Sequence, residues 1–384
     1  MLKTPAGRPR LMFVVTEDWY FVSHRLPLAR AARDAGYEVL VATRLADKAD
    51  TIRREGFAVI DLTKMRRTGR NPFSELSAIT ELVGIYRAHR PDIVHHIAMK
   101  PVLYGSIAAR IAGVRSIVNN LAGLGFVFSS QSAKARVLRP AIRQLLALAL
   151  NRPRTLTIVQ NSDDARVMTD AIGVAPAQLR LIKGSGVDPS LYPARHQEEA
   201  PPLVVLASRM IRDKGIADFV AAATQLRRDG GAEARFVLLG SPDIGNPHAI
   251  PEAELQGYDR DGVVAWWGHR DDMPDILARS AIVCLPTTYG EGIPKILIEA
   301  AAAGCAIVAY DVAGCREIVA DGDNGLLVRP GDIAGLAAAL GGLLADPARR
   351  AAMGQRGRAR VEAEFAQERI LAQTLATYAE TVSR

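Results

Sequence analysis

The stretch AIVCLPTTYGEGIPKILIEAAAAGCAIVAYD (281–311) decides the fold. Its ends, AIVCLP (281–286) and AIVAYD (306–311), are short continuous apolar runs of strand length. Between them, Pro294 suits the first position of a helix, and KILIEAAAA supplies residues that form one readily. A strand that stays apolar on both faces, followed by a helix and a second such strand, belongs to a parallel sheet covered on both sides. The same alternation extends in both directions. Strand-like runs precede it at 11–16, 38–43, 57–62, 92–97, 115–120, 155–160 and 178–183, then at 203–208, 235–240 and 263–268. One more follows at 325–330. The reading is α/β, with two doubly wound, Rossmann-like domains.

The break falls at PSLYPARHQEEAPP (189–202), which holds four prolines and no periodicity. We therefore expect an N-terminal domain over 1–188, a linker over 189–202 and a C-terminal domain over 203–364. Ile370, Leu371, Leu375 and Tyr378 recur at helical spacing. They predict a terminal helix over 365–384 that packs back towards the N-terminal domain. Two such domains present a cleft between the carboxyl edges of their sheets, where ligands bind.

Bulk composition narrows the class. At 384 residues, 49% hydrophobic and 23% charged, the chain is neither disordered, collagen-like nor coiled-coil. Cys284, Cys305 and Cys315 have no paired spacing, and so read as thiols of a reducing compartment. No apolar run reaches the roughly 18 residues of a membrane span, and Leu11–Val15 is short for a signal peptide. A cytoplasmic location is the expectation. The net charge of +7 conceals a split. Up to Asp188 there are 28 Lys and Arg against 15 Asp and Glu; beyond it there are 20 against 26. A basic half of +13 joined to an acidic half of −6 suggests a polyanionic partner for the first.

Chemistry concentrates in the second half. SRMIRDKG (208–215) follows a strand and opens a helix, which puts Arg209 and Lys214 beside free backbone N–H groups. That setting suits a diphosphate, although basic loop residues are more often simply solvated. Glu291 stands between Gly290 and Gly292 in a loop, and Glu299 lies eight positions on, in the following helix. A carboxylate among Ile296, Leu297, Ile298 and the alanine run is costly to bury without hydrogen-bond donors. A ribose diol would supply them; a solvent-facing stripe is the plain alternative.

Taken together, the SRxxxxKG loop and the EGxP segment with its second Glu resemble the retaining glycosyltransferases of family 4, which have the GT-B fold. The segments GVD (186–188) and DGDNGLLV (321–328) also match that pattern, and the resemblance runs along the full chain. It implies that Arg209 and Lys214 bind the donor diphosphate and stabilise the leaving nucleotide. It further implies that Glu299 holds the ribose, and that Glu291 contacts donor-sugar hydroxyls with Gly292, Ile293 and Pro294 around them. No cofactor and no metal are implied beyond a nucleotide-sugar co-substrate, UDP-linked in the first instance. Asp321-Gly322-Asp323 reads as a turn rather than a metal-binding DxD.

In the first half, VHHIAMKP (94–101) ends a strand, and the family places a sugar-contacting histidine near this point. His95 and His96 point to opposite faces by strand alternation. We favour His96 for a catalytic role, against the competing reading of a satisfied core histidine. The loop EDWYFVSHR (17–25) offers Trp19, Tyr20 and Phe21 to an acceptor or simply packs them. Positions 93–162 hold nine Lys and Arg and no acid. Within them, NNLAGLGFVFSS (119–130) is similar to a loop of bacterial enzymes that extend polyprenyl-diphosphate-linked glycans.

In the helix over 133–150, Leu138, Ile142, Leu145, Leu146 and Ala149 share one face, opposite Arg136, Arg139 and Arg143. With Lys64, Arg66, Arg67 and Arg70 this reads as a surface for anionic membrane, while such a helix also normally covers its own sheet. Nucleic acid is disfavoured for want of any recognition motif. The leading expectation is a peripheral enzyme on the inner face of the bacterial membrane. It would transfer a hexose or N-acetylhexosamine to an undecaprenyl-diphosphate-linked saccharide, in O-antigen, capsule or related synthesis. A soluble sugar or sugar-phosphate acceptor is one alternative. A sugar-nucleotide 2-epimerase and a silent nucleotide-binding protein are the others.

Overall fold

The structure is a computed structural model. It describes residues 7–66, 72–123, 133–192, 200–230 and 233–384, with no account of the side chains of 72 and 133–138. The chain divides into two compact units: Met1–Ser185 with Ile370–Arg384, and Gly186–Arg369.

The first unit is a seven-stranded sheet. Its strands are β1 (Arg10–Glu17), β2 (Glu38–Arg44), β3 (Ala58–Asp61), β4 (Ile93–Ile97), β5 (Ser116–Leu121), β6 (Thr155–Val159) and β7 (Leu179–Leu181), in the order β3-β2-β1-β4-β5-β6-β7. The second holds β8 (Leu203–Ala207), β9 (Arg235–Leu239), β10 (Val264–Trp266), β11 (Ser280–Leu285), β12 (Ala306–Tyr310) and β13 (Gly325–Val328), in the order β10-β9-β8-β11-β12-β13. Every described pairing between these strands is parallel. The central strands are buried throughout, as helices on both faces require.

Segment 17–25 is not the loop expected from its sequence. It is a short helix, Asp18–His24, running into Leu26–Asp34. Phe21 turns into the core edge-on to Phe13, with ring centres 5.7 Å apart, and Tyr20 stacks on His24 at 4.3 Å. The buried Asp18 accepts hydrogen bonds from the backbone N–H groups of Ala46 and Lys48 at 2.8 and 3.0 Å. It thereby ties this helix to the β2 end.

In the helix Ala133–Leu150, Leu146, Ala149 and Leu150 are buried with Val102, Leu121 and Val159, so the apolar face covers its own domain. Leu145, assigned to that stripe from spacing, is exposed, as is Leu148. Arg139 and Arg143 are half-buried, while the Arg136 and Leu138 side chains, with positions 67–70 and 124–130, lie outside the described residues. Among the described residues no helix is long and apolar enough to cross a membrane. The terminal helix Gln367–Ser383 joins the first unit's core through Ile370 and Tyr378.

His95 and His96 do occupy opposite faces of β4, but both faces are covered. His95 Nδ1 pairs with the Tyr378 hydroxyl at 2.7 Å. His96 is boxed in by Gly105, Tyr86 and Asn119. Burial pushes His96 down to about 4 and His95 well below its ordinary range. Below about pH 6.5 the unfolded chain takes up protons that these native rings refuse, so stability falls as pH drops towards 4. Asp164, pushed up to about 6 by burial, works in the opposite direction below that pH. Two rings outweigh one carboxyl. We expect a net loss of about 2–3 kcal/mol between pH 7 and pH 5, read from urea unfolding midpoints. A midpoint that does not move would contradict the burial of both rings.

Candidate active site

The second sheet's order reverses direction at β8: β9 lies to one side and β11 to the other. Chains leaving the carboxyl ends of β8 and β11 therefore diverge and leave a crevice, the usual ligand position in such sheets. The two segments read as chemical from the sequence are the ones that leave those two strand ends.

After β8 the chain passes Arg209 and makes a tight turn over Arg212–Lys214. It then enters the helix Ile216–Arg228 through Gly215 in a left-handed conformation, φ 74°. A Cβ at Gly215 would lie 2.0 Å from the Pro286 carbonyl oxygen, so only glycine lets this turn sit against the chain leaving β11. The Thr288 N–H donates to the Asp213 carbonyl at 2.8 Å and joins the two loops. As a result the Lys214 ammonium donates to Glu291 Oε1. The Lys214 side chain is 8% exposed and that of Glu291 22%, so this pair is largely withdrawn from water. Arg209 Nη1 donates to Asp243 Oδ2 at 2.6 Å, and Asn246 Nδ2 donates to the same oxygen at 2.9 Å. Both cations lie within 6 Å of the Tyr289 ring, Lys214 at 5.5 Å and Arg209 at 5.7 Å.

Beyond Glu291, residues Gly292, Ile293 and Pro294 are buried and lead into the helix Lys295–Ala302. Pro294 caps this helix rather than starting it. The first turn of the helix Ala313–Ile318 packs on this segment. A Cβ at Gly314 would lie 1.9 Å from the Gly292 carbonyl oxygen. Glu299 is not on a solvent stripe. Its side chain is 14% exposed, pairs with Lys295 at 2.9 Å and takes a hydrogen bond from the Tyr192 hydroxyl. That bond, the charge and above all burial raise Tyr192 above its ordinary range.

The structure thus brings Arg209, Lys214, Glu291 and the Gly292–Pro294 backbone to one edge of one sheet, with Glu299 on the helix that follows. His96 belongs to the first unit and is fully buried there. Its Nδ1 meets Asn119 Oδ1 at 2.9 Å and its Nε2 meets the Tyr86 hydroxyl at 2.9 Å. With both ring nitrogens engaged it has the geometry of a satisfied core histidine. Asp321 and Asp323 form a turn: Asp321 Oδ1 accepts from Leu327 N–H at 2.9 Å, and Asp323 pairs with Arg356 at 2.7 Å. Sequence reasoning missed Asp243, Tyr289 and Tyr192. Tyr289 sits beside the Glu291 motif and could have been suspected. Asp243 lies 34 positions from Arg209, with no spacing to announce it.

Two paired cations and two carboxylates on the crevice of a doubly wound domain describe a site for a phosphorylated, hydroxyl-rich ligand. Residues 10–161 match the family model "Glycosyl transferase 4-like", and residues 201–346 match "Glycosyl transferases group 1". The chain belongs to these glycosyltransferases, with the GT-B fold. It is 28% identical over 315 residues to the N,N'-diacetylbacillosaminyl-diphospho-undecaprenol alpha-1,3-N-acetylgalactosaminyltransferase of Campylobacter jejuni, covering 79% of this chain and 80% of that one. Among solved structures it resembles the sucrose-phosphate synthase of Thermosynechococcus elongatus, with a TM-score of 0.81, 22% identity, and coverage of 98% and 100%. It also resembles Anabaena HepE in complex with UDP-glucose, with a TM-score of 0.75, 20% identity, and coverage of 96% and 99%. At these identities the structures speak for the fold.

Proposed function

We propose that the chain is a retaining glycosyltransferase that moves a hexose or N-acetylhexosamine from a UDP-sugar to an undecaprenyl-diphosphate-linked saccharide. The carrying observation is the withdrawn Lys214–Glu291 pair beside Arg209 at the β8/β11 crevice. In this reading the donor diphosphate takes Lys214 and Arg209 from their carboxylate partners. Glu291 is thereby released to accept from donor-sugar hydroxyls, with the Gly292–Pro294 backbone alongside. Glu299 accepts from the ribose hydroxyls in place of Lys295.

The acceptor hydroxyl oxygen bonds to the anomeric carbon on the face from which the nucleotide departs. The bond from that carbon to the phosphate oxygen breaks, and the hydroxyl proton passes to the departing phosphate. Lys214 and Arg209 stabilise the charge that develops there. No step is assigned to His96. The protein groups supply the charge, and the reading requires no metal.

The lipid-linked acceptor is supported by the Campylobacter relative's substrate and by the basic first unit. It places the work at the inner face of the bacterial cytoplasmic membrane, with an anionic leaflet as partner. The decisive experiment is a screen of nucleotide sugars for nucleotide release, run with a lipid-linked saccharide extract and in parallel with water-soluble acceptors. Release that requires the lipid-linked fraction and leaves the α-anomer supports the reading. Equal turnover of a soluble sugar, or conversion of the donor alone, overturns it.

Glu299 carries a separate prediction. Glu299→Gln keeps size but weakens a charge-assisted bond to the ribose by about 1–2 kcal/mol. We expect the donor KM to rise about 5- to 30-fold with kcat within about 3-fold. A kcat loss with KM unchanged would place Glu299 elsewhere.

A further inference from the structure

The acid-free stretch 93–162 carries nine cations, and four of them line one hollow. Arg110, Arg115, Arg152 and Arg154 line an open hollow of about 320 Å³ in the first unit. The hollow lies at the amino-terminal ends of β5 and β6, the edge of the sheet opposite to its carboxyl ends. Arg110 is in the last turn of the helix Met99–Ala112, and Arg115 immediately precedes β5. Arg152 and Arg154 come from the turn that enters β6.

The turn is built, not loose. Asn151 Nδ2 donates to the Gly173 carbonyl at 2.7 Å, and Asn151 Oδ1 accepts from Ala175 N–H at 2.8 Å. Gln178 Nε2 donates to the Arg152 carbonyl at 2.5 Å, and Ile117 N–H to the Arg154 carbonyl at 2.9 Å. Arg154 is held at φ 56°, a left-handed conformation rarely adopted outside glycine. Thr155, also on the lining, has a buried hydroxyl with no partner.

Charge arithmetic makes the hollow unusual. Among the described residues no carboxylate or side-chain hydrogen bond engages any of the four guanidinium groups. The ordinary role for such arginines is to offset helix carboxyl ends. Two helices end here, Met99–Ala112 and Ala133–Leu150, each presenting about half a negative charge. About one unit of negative charge faces four of positive, which leaves roughly three uncompensated. Guanidinium forks match phosphate oxygens in pairs.

We propose that this hollow is a second anion site, built from other residues than the candidate donor site, which binds a phosphate-bearing group. That group belongs either to a free oligophosphate or to an anionic lipid headgroup. The proposal stands whether or not the acceptor assignment above does.

Site-resolved arginine modification tests it without reference to turnover. The full chain is treated with phenylglyoxal alone, with inorganic diphosphate, and with phosphatidylglycerol or phosphatidylcholine vesicles. Modified peptides are then read by mass spectrometry, with the exposed Arg228 as internal control. We expect the four hollow arginines to react at least 3-fold more slowly with diphosphate or with phosphatidylglycerol vesicles, Arg228 and the phosphatidylcholine arm being unchanged. Protection by diphosphate identifies a free phosphate ligand, and protection by phosphatidylglycerol alone identifies the lipid. Equal reactivity in every arm overturns the site. In the double variant Arg115→Gln/Arg152→Gln, diphosphate stoichiometry should fall by one per chain with turnover within 2-fold of the parent. An unchanged stoichiometry would equally overturn the proposal.

Discussion

Lys214→Ala should reduce kcat by at least about 10²- to 10³-fold while leaving the chain folded. The magnitude follows from removing one fixed donor aimed at developing negative charge in a water-poor site. Lys214 is suited to that task because its side chain is 8% exposed and held by Glu291 at the β8/β11 crevice. Its loss also leaves the Glu291 carboxylate without its cation, an arrangement that costs stability on its own. The two effects separate by measurement. Urea unfolding reports the stability cost, and single-turnover kinetics at saturating donor report the chemical step. Lys214→Met, which keeps the stem length, should lose as much kcat as Lys214→Ala. If Lys214→Ala folds and turns over at the parental rate, the diphosphate role is wrong.

Gly314→Ala should impair the enzyme by about 10²-fold without touching any chemical group. The added methyl would lie 1.9 Å from the Gly292 carbonyl oxygen, and that neighbour is backbone, so the Glu291–Pro294 segment must move. Displacement of about 1 Å in positioning groups typically costs about this factor. Overpacking should also cost about 1–3 kcal/mol of stability. Gly304→Ala separates a positional effect from a general one. Gly304 is also in the second unit and would suffer backbone strain at φ 77°, but a Cβ there meets nothing within 4 Å. That variant should lose stability and keep its kcat. Equal kcat in both variants would show that Gly314 does not position the Glu291 segment.

These two experiments test different kinds of information. Arg209, Lys214, Glu291 and Glu299 were legible because each sits in a short motif at a strand-to-helix junction, where geometry is local. The thirteen strands were legible for a related reason. A parallel strand covered on both faces must be apolar along its whole length, and that pattern appears in a single sequence.

What escaped was long-range. Asp243 holds Arg209 across 34 positions, and Tyr378 holds His95 across 283. No periodicity encodes such pairs. His96 shows the cost. Alternation correctly separates it from His95, yet it cannot say that both faces of β4 are covered, and coverage is what leaves both His96 nitrogens engaged inside the domain. Segment 17–25 is a helix and not a loop for the same reason: Asp18 and Phe21 are satisfied by β2-end backbone and by Phe13, partners that only folding supplies.

The layered α/β architecture and the motif residues of the candidate site could be read from the sequence alone. Apolar runs and loop chemistry are local consequences of which atoms water rejects and which φ values glycine and proline allow. Tertiary structure decided which charges are paired, which histidines are sealed and where the surplus of the basic half is spent. Four cations scattered between positions 110 and 154 become one hollow only when β5 and β6 lie side by side, because pairing and burial are set by strand adjacency and not by distance along the chain.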